Sequence, residues 1–162
     1  MNKKDKIFLA GHNGLVGNSM LEQLHHHGYT NINTASKKKL DLLDAYKVNK
    51  YFKTRKFDIV LICAAKVGGI YSNSTQPYKF LVENTTIQNN IFNACLKNKV
   101  KKVMYLGSSC IYPKHPKIPI KEDYLLSGKL EKTNEAYALA KISGLKAAES
   151  LILSHKMDIR CF

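Results

Sequence analysis

Apolar positions along the chain alternate between two rhythms. A short apolar run at Lys6–Ala10 predicts a strand, and Leu15–His26 then takes up helical spacing. Val16, Met20 and Leu24, at i, i+4 and i+8, form its expected buried stripe, and Gly28 reads as its stop. Ile32–Thr34 predicts a second strand and Lys39–Leu42 a third. Asp44 stands where an N-cap belongs, ahead of a helix whose face carries Val48, Tyr51, Phe52 and Arg55. Asp58–Ala65 contains the longest apolar run and reads as a central parallel strand, covered on both faces. Gln76-Pro77 opens a long helix to Lys97, because proline suits a first helical turn. Val103–Ser108 predicts another strand. Ser109–Asn134, with Pro113, Pro116, Pro119 and Gly128, reads as a long irregular loop, followed by a helix at Glu135–Ser154 and a strand beginning at Asp158–Phe162. Strands alternating with helices predict βαβ units and an α/β fold, a doubly wound parallel sheet.

At 162 residues the chain is expected to form one domain. Hydrophobic residues at 44% and charged residues at 23% exclude a disordered chain. No apolar run approaches the ~20 residues that cross a bilayer. The lysine-rich start leads into an apolar stretch too short for a signal peptide, so a cytoplasmic protein is expected. Because the chain stops inside its last predicted strand, the sheet is expected to be incomplete at its C-terminal end and the chain to be a fragment.

The net charge of +14, from 26 basic against 12 acidic residues, raises the question of a polyanionic partner. Only Arg55 and Arg160 are arginines, and the lysines are scattered. Readers of nucleic acid rely on arginine for bidentate contacts, so no nucleic-acid partner is expected. Cys63, Cys95, Cys110 and Cys161 fit no zinc spacing, and His25–His27 reads as a solvated helix end, so no metal is expected.

The strongest short motif is Gly11-His12-Asn13-Gly14-Leu15-Val16-Gly17, directly after the first strand. Glycines at this spacing allow a tight turn, close approach of backbone to a diphosphate, and close helix–strand packing, as in a Rossmann dinucleotide site. After the second strand the chain reads Thr34-Ala-Ser-Lys-Lys-Lys39, with no carboxylate to hold a ribose 2′-hydroxyl. Lys37 and its neighbours would attract a 2′-phosphate, which favours NADP(H); Asp41 is expected beside the adenine. Tyr137 and Lys141, at i and i+4 of one helix, bring a phenol and an ammonium to one face, where the cation lowers the pKa of the phenol. Ser108, at the tip of the preceding strand, can offer a further hydrogen bond to a substrate carbonyl. On the long helix Phe80, Asn84, Ile87, Ile91 and Cys95 share one stripe; the amide of Asn84 either bonds nearby backbone or faces a site.

Three runs go further: Ala64-Ala-Lys-Val-Gly-Gly-Ile70, Leu106-Gly-Ser-Ser-Cys-Ile-Tyr-Pro-Lys114 and Thr133-Asn-Glu-Ala-Tyr-Ala-Leu-Ala-Lys141. With Tyr124-Leu-Leu-Ser-Gly128, they resemble the extended short-chain dehydrogenase/reductases, the NAD-dependent epimerase/dehydratase family. Within it they are most similar to the branch that converts GDP-4-keto-6-deoxy-D-mannose to GDP-L-fucose. The resemblance implies epimerisation at C3 and C5 followed by NADPH-dependent reduction at C4. It implies that Ser108 and Tyr137 hold the carbonyl oxygen, Tyr137 donates a proton, and Lys141 binds the nicotinamide ribose. Cys110 takes the place of the epimerisation acid/base. Gly11–Gly17, Lys37–Leu42 and Ala64, Ala65 and Lys66 are implied as NADP contacts, with Leu106, Gly107, Ser108, Ser109, Tyr137 and Lys141. The Val67-Gly68-Gly69 turn and Lys66 are implied to lie by the nicotinamide and sugar, and the Pro77–Lys97 helix to pair in a homodimer.

The sequence departs from that pattern at Asn13, where many members carry arginine, and at Ala136, a frequent proline. It also lacks the family's histidine partner of Cys110 and most of the GDP-sugar-binding region, so little turnover is expected of these 162 residues alone. Two alternatives remain at this point: another sugar-nucleotide epimerase or dehydratase, and a non-catalytic NADP-binding fragment.

Overall fold

A computed structural model describes residues 1–162. Five parallel strands make one sheet in the order β2-β1-β3-β4-β5, where β1 is Ile7–Ala10, β2 Ile32–Thr34, β3 Ile59–Ile62, β4 Lys102–Tyr105 and β5 Asp158–Cys161. The helices are α1 (Leu15–His26), α2 (Ala45–Arg55), α3 (Ile70–Thr75), α4 (Pro77–Lys97) and α5 (Glu135–His155). None is long and apolar enough to cross a membrane.

Side chains of β1 alternate between two cores, as the period of a strand requires. Phe8 and Ala10 enter the larger one with Val48 and Phe52 of α2, Ile91 and Phe92 of α4, and Ala148 of α5. Ile7 and Leu9 enter the smaller one with Leu24 of α1. Helices therefore cover both faces, and the sheet is of the doubly wound Rossmann type. From β1 the chain passes through α1 to β2 on one side, then through α2 to β3 on the other. This reversal opens a crevice at the carboxyl ends of β1 and β3, where such sheets bind ligands.

Several expectations need correction. Lys39–Leu42 is not a third strand. The Lys39 and Leu40 N–H groups both donate to the Ser36 carbonyl, and the Leu43 N–H donates to Asp41 Oδ1. With its polar groups met locally, the segment has no need of a ladder partner. Leu40 is buried as its anchor. The central strand ends at Ile62 and the next at Tyr105, each earlier than its apolar run suggests. One further bond, from the Cys63 N–H to the Ala10 carbonyl, closes the pairing with β1, because Gly11 then turns that chain away at φ +92°. Val16 does not join the buried stripe of α1. It is half exposed in the first turn, and Gly17 is buried there instead. The short helix α3 was not expected, since its polar sequence Ile-Tyr-Ser-Asn-Ser-Thr carries no apolar period.

Candidate functional site

The turn between β1 and α1 is shaped by what its glycines lack. At Gly11 a Cβ would lie 2.5 Å from the Ala64 nitrogen of the neighbouring strand end, and φ is +92°. At Gly17 a Cβ would run into the Gly11 carbonyl and sit 2.7 Å from its carbon. Only glycine lets β1, α1 and the end of β3 approach this closely. No side chain caps α1 and no acidic residue occupies its first turn, so its amide groups and partial positive charge face the crevice.

A cavity of about 480 Å³ follows this turn. Every residue from Gly11 to Gly17 lines it, as do Lys37, Asp41, Leu42, Ala64, Ala65, Leu106, Gly107, Tyr137 and Lys141. Sequence reasoning missed Ala35, Ser36, Leu43, Cys63, Glu83 and Ile87. Ala35 and Ser36 simply continue β2, and Glu83 and Ile87 are one helical turn apart on α4, so helical spacing alone could have flagged that pair. The expected contacts Lys38, Lys39, Lys66, Ser108 and Ser109 do not line this cavity. Lys66 is fastened by its backbone: its N–H donates to Asn84 Oδ1 at 2.7 Å and its carbonyl accepts from Asn84 Nδ2 at 3.0 Å. Its ammonium lies 4.0 Å from Glu83 and over the Phe80 ring. Asn84 thus spends its amide on backbone, including the Phe80 carbonyl. Ser108 and Ser109 line an adjoining cavity of about 650 Å³, with Ile111, Leu125 and Phe162.

The chemistry-bearing groups gather where the two cavities meet. Ser108, the last residue before a 3-10 turn at Ser109–Ile111, places its Oγ 3.1 Å from Cys110 Sγ. It also lies close enough to the Tyr137 hydroxyl to pull the phenol's pKa down. Lys141, one turn along α5, is 4% exposed. Its Nζ donates to the Leu106 carbonyl at 2.7 Å and lies 4.8 Å from the Tyr105 ring centre and 5.9 Å from that of Tyr137. Burial pushes the Lys141 ammonium down to about 8, against the pull of the thiols of Cys110 and Cys63.

The expected lowering of the Tyr137 pKa is not found. Burial raises it, with Cys110 adding to the rise and only the nearby Ser108 hydroxyl opposing it. The reason is geometric: Lys141 turns its charge to the Leu106 carbonyl rather than to the phenol. Burial likewise raises Cys63, which lines the cavity, to about 11.

The family model for the NAD dependent epimerase/dehydratases matches residues 7–162. The chain belongs to that family. As a member it is 45% identical over 158 residues to a putative GDP-L-fucose synthase of Arabidopsis thaliana, covering 98% of this chain and 48% of the relative. It is 44% identical over 157 residues to the GDP-L-fucose synthase of Escherichia coli, covering 97% and 49%. The solved GDP-mannoheptose C4 reductase of Campylobacter jejuni, with NADP bound, superposes with a TM-score of 0.96 at 34% identity, covering 99% of this chain and 51% of that one. The chain spans about half the length of the curated relatives it matches.

Proposed function

We propose that residues 1–162 are the NADP(H)-binding domain of a cytoplasmic enzyme that converts GDP-4-keto-6-deoxy-mannose to GDP-L-fucose. One observation carries this reading: Tyr137 and Lys141 line the cavity that the glycine turn also lines, and Ser108, hydrogen-bonded to Cys110, adjoins Tyr137 from the neighbouring cavity. The residues present fit a dinucleotide. Gly11 and Gly17 have no room for a Cβ, so β1 and α1 pack closely, and the uncapped start of α1 offers its amide groups to a diphosphate. Lys37 lines the cavity, and the Asp41 carboxylate that also lines it accepts from the Leu43 N–H. Lys37 would hold the 2′-phosphate and Lys141 the nicotinamide ribose.

Bound there, the dinucleotide supplies a hydride. The remaining chemistry belongs to the chain. A carbon next to a ketone becomes acidic only when the developing enolate oxygen is stabilised, and reduction delivers a proton to the same oxygen. Ser108 and Tyr137 would donate hydrogen bonds to that oxygen throughout, with Tyr137 giving up its proton on reduction. A phenol kept protonated by burial suits a donor. Cys110, bonded to Ser108, would exchange the protons at C3 and C5. Tyr78, Leu81 and Val82 leave an apolar side of α4 exposed, the face proposed to pair with a second copy.

A second reading keeps the chemistry and changes the sugar: a 4-keto reductase acting on another GDP-linked sugar. The close superposition on the mannoheptose C4 reductase favours it. One experiment tests both. NADPH oxidation by protein made from the full reading frame is followed with GDP-4-keto-6-deoxy-mannose, and the products are identified. GDP-L-fucose supports the first reading. A reduced but unepimerised sugar supports the second, and no NADPH oxidation refutes both.

A further inference from the structure

Tyr105 closes β4 with its side chain 1% exposed, yet it carries a hydroxyl into an apolar core. That hydroxyl donates to Gln88 Oε1 of α4 at 2.7 Å. Gln88 Nε2 in turn donates to the Ala140 carbonyl and to Ser143 Oγ of α5, each at 2.9 Å. Ser143 Oγ donates to the same Ala140 carbonyl at 2.8 Å. A continuous chain of polar groups thus ties β4, α4 and α5 together, buried at Tyr105, Gln88 and Ala140 and reaching the surface at Ser143. Room for it is left by Gly144, where a Cβ would sit 2.6 Å from Gln88 Oε1 and run into the Tyr105 hydroxyl.

Lys141 lies inside this frame, between Ala140 and Ser143. Its stem is sealed in, its ammonium stands over the Tyr105 ring, and its hydrogen bond goes to the carbonyl of the residue after Tyr105. Apolar side chains at positions 88 and 105 would fill the space without the demand of a buried polar pair. What they could not do is select one register of α5 against β4, because apolar contacts are non-directional and hydrogen bonds are not.

We infer that Tyr105 and Gln88 are positioning residues for Lys141, fixing the height and rotation of α5 so that the ammonium meets the cavity at one place. The inference rests on the proposed use of Lys141 at the coenzyme. Besides Tyr105, the titratable groups around that ammonium are Cys63 at the end of β3, Cys110 in the 3-10 turn and Tyr137 on α5 itself.

The test is the titration of Lys141, read by NMR in the chain labelled at lysine Cε, with the resonance assigned by its loss in Lys141→Met. In the unsubstituted chain the midpoint falls near 8. In Tyr105→Phe and in Gln88→Leu, water reaches a loosened ammonium and the midpoint rises by about one unit or more. The double variant removes both polar partners, so its melting temperature recovers toward that of the unsubstituted chain. Its Lys141 midpoint stays displaced, which a merely structural pair would not produce. NADPH affinity, read by fluorescence, falls about fivefold or more in all three variants. A Lys141 midpoint near 8 in the single variants, or one that recovers along with stability in the double variant, overturns the inference. Failure of the unsubstituted chain to bind NADPH would sink the coenzyme reading instead, and the NMR comparison would still decide the positioning.

Discussion

Replacing Lys141 by Met should make the fold more stable while removing a group assigned to the coenzyme. The free ammonium titrates at 10.5 and the buried one at about 8, which corresponds to about 3 kcal/mol for holding the charged form inside. Methionine keeps most of the stem volume but leaves the Leu106 carbonyl without its donor, a loss of about 1 kcal/mol. The net expectation at pH 7 is a gain of about 2 kcal/mol, or about 4–8 °C in Tm for a chain of this size. The pH dependence follows from the direction of the shift. Below pH 8 both folded and unfolded chains carry the proton, and the full penalty is present. Between 8 and 10.5 the unfolded chain binds more protons than the folded one, so the unsubstituted protein gains stability as pH rises. The advantage of Lys141→Met is therefore largest at pH 7 and shrinks toward pH 10. Urea unfolding of both proteins at pH 6.5, 8 and 9.5 measures it. A variant less stable than its parent at pH 7, or a difference that stays flat with pH, would show that the ammonium is not buried as described.

Three further outcomes are expected. Gly17→Ala should destabilise the fold by about 1–3 kcal/mol in urea and abolish NADPH-dependent fluorescence, because its methyl must displace the Gly11 carbonyl. Lys37→Glu should shift the NADPH-to-NADH affinity ratio toward NADH by about tenfold or more in fluorescence titrations, through repulsion of the 2′-phosphate. Asn84→Leu should lower stability by about 2–4 kcal/mol in a thermal melt, since it strands both backbone groups of Lys66.

Much of the molecule was legible without coordinates. The α1, α4 and β2 bounds follow from apolar period, Gly28 and Pro77, because these signals are local: a helix stops where its neighbours in sequence stop supporting it. Asp44 caps α2 through the Lys47 N–H, as its position predicts. The glycine turn was legible for the same reason, since steric demands on a tight turn fall on the turn itself. Local rules also explain the errors. Lys39–Leu42 has strand-like content, but Ser36 and Asp41 satisfy its backbone within a few residues, and no partner strand is needed.

What tertiary structure alone decided is which groups meet and in what state. The i, i+4 spacing of Tyr137 and Lys141 puts them on one face, but spacing does not say where an ammonium turns once Leu106 offers a carbonyl from another element. Hence the sign of the Tyr137 shift was out of reach, as was the drop at Lys141, because burial is set by everything packed around a residue. The Tyr105–Gln88–Ala140 chain joins three elements separated by many residues and has no periodic trace. Sequence determines what each segment does within the reach of a few bonds; the meeting of distant segments fixes dielectric, hydrogen-bond partners and hence reactivity, which no local pattern carries.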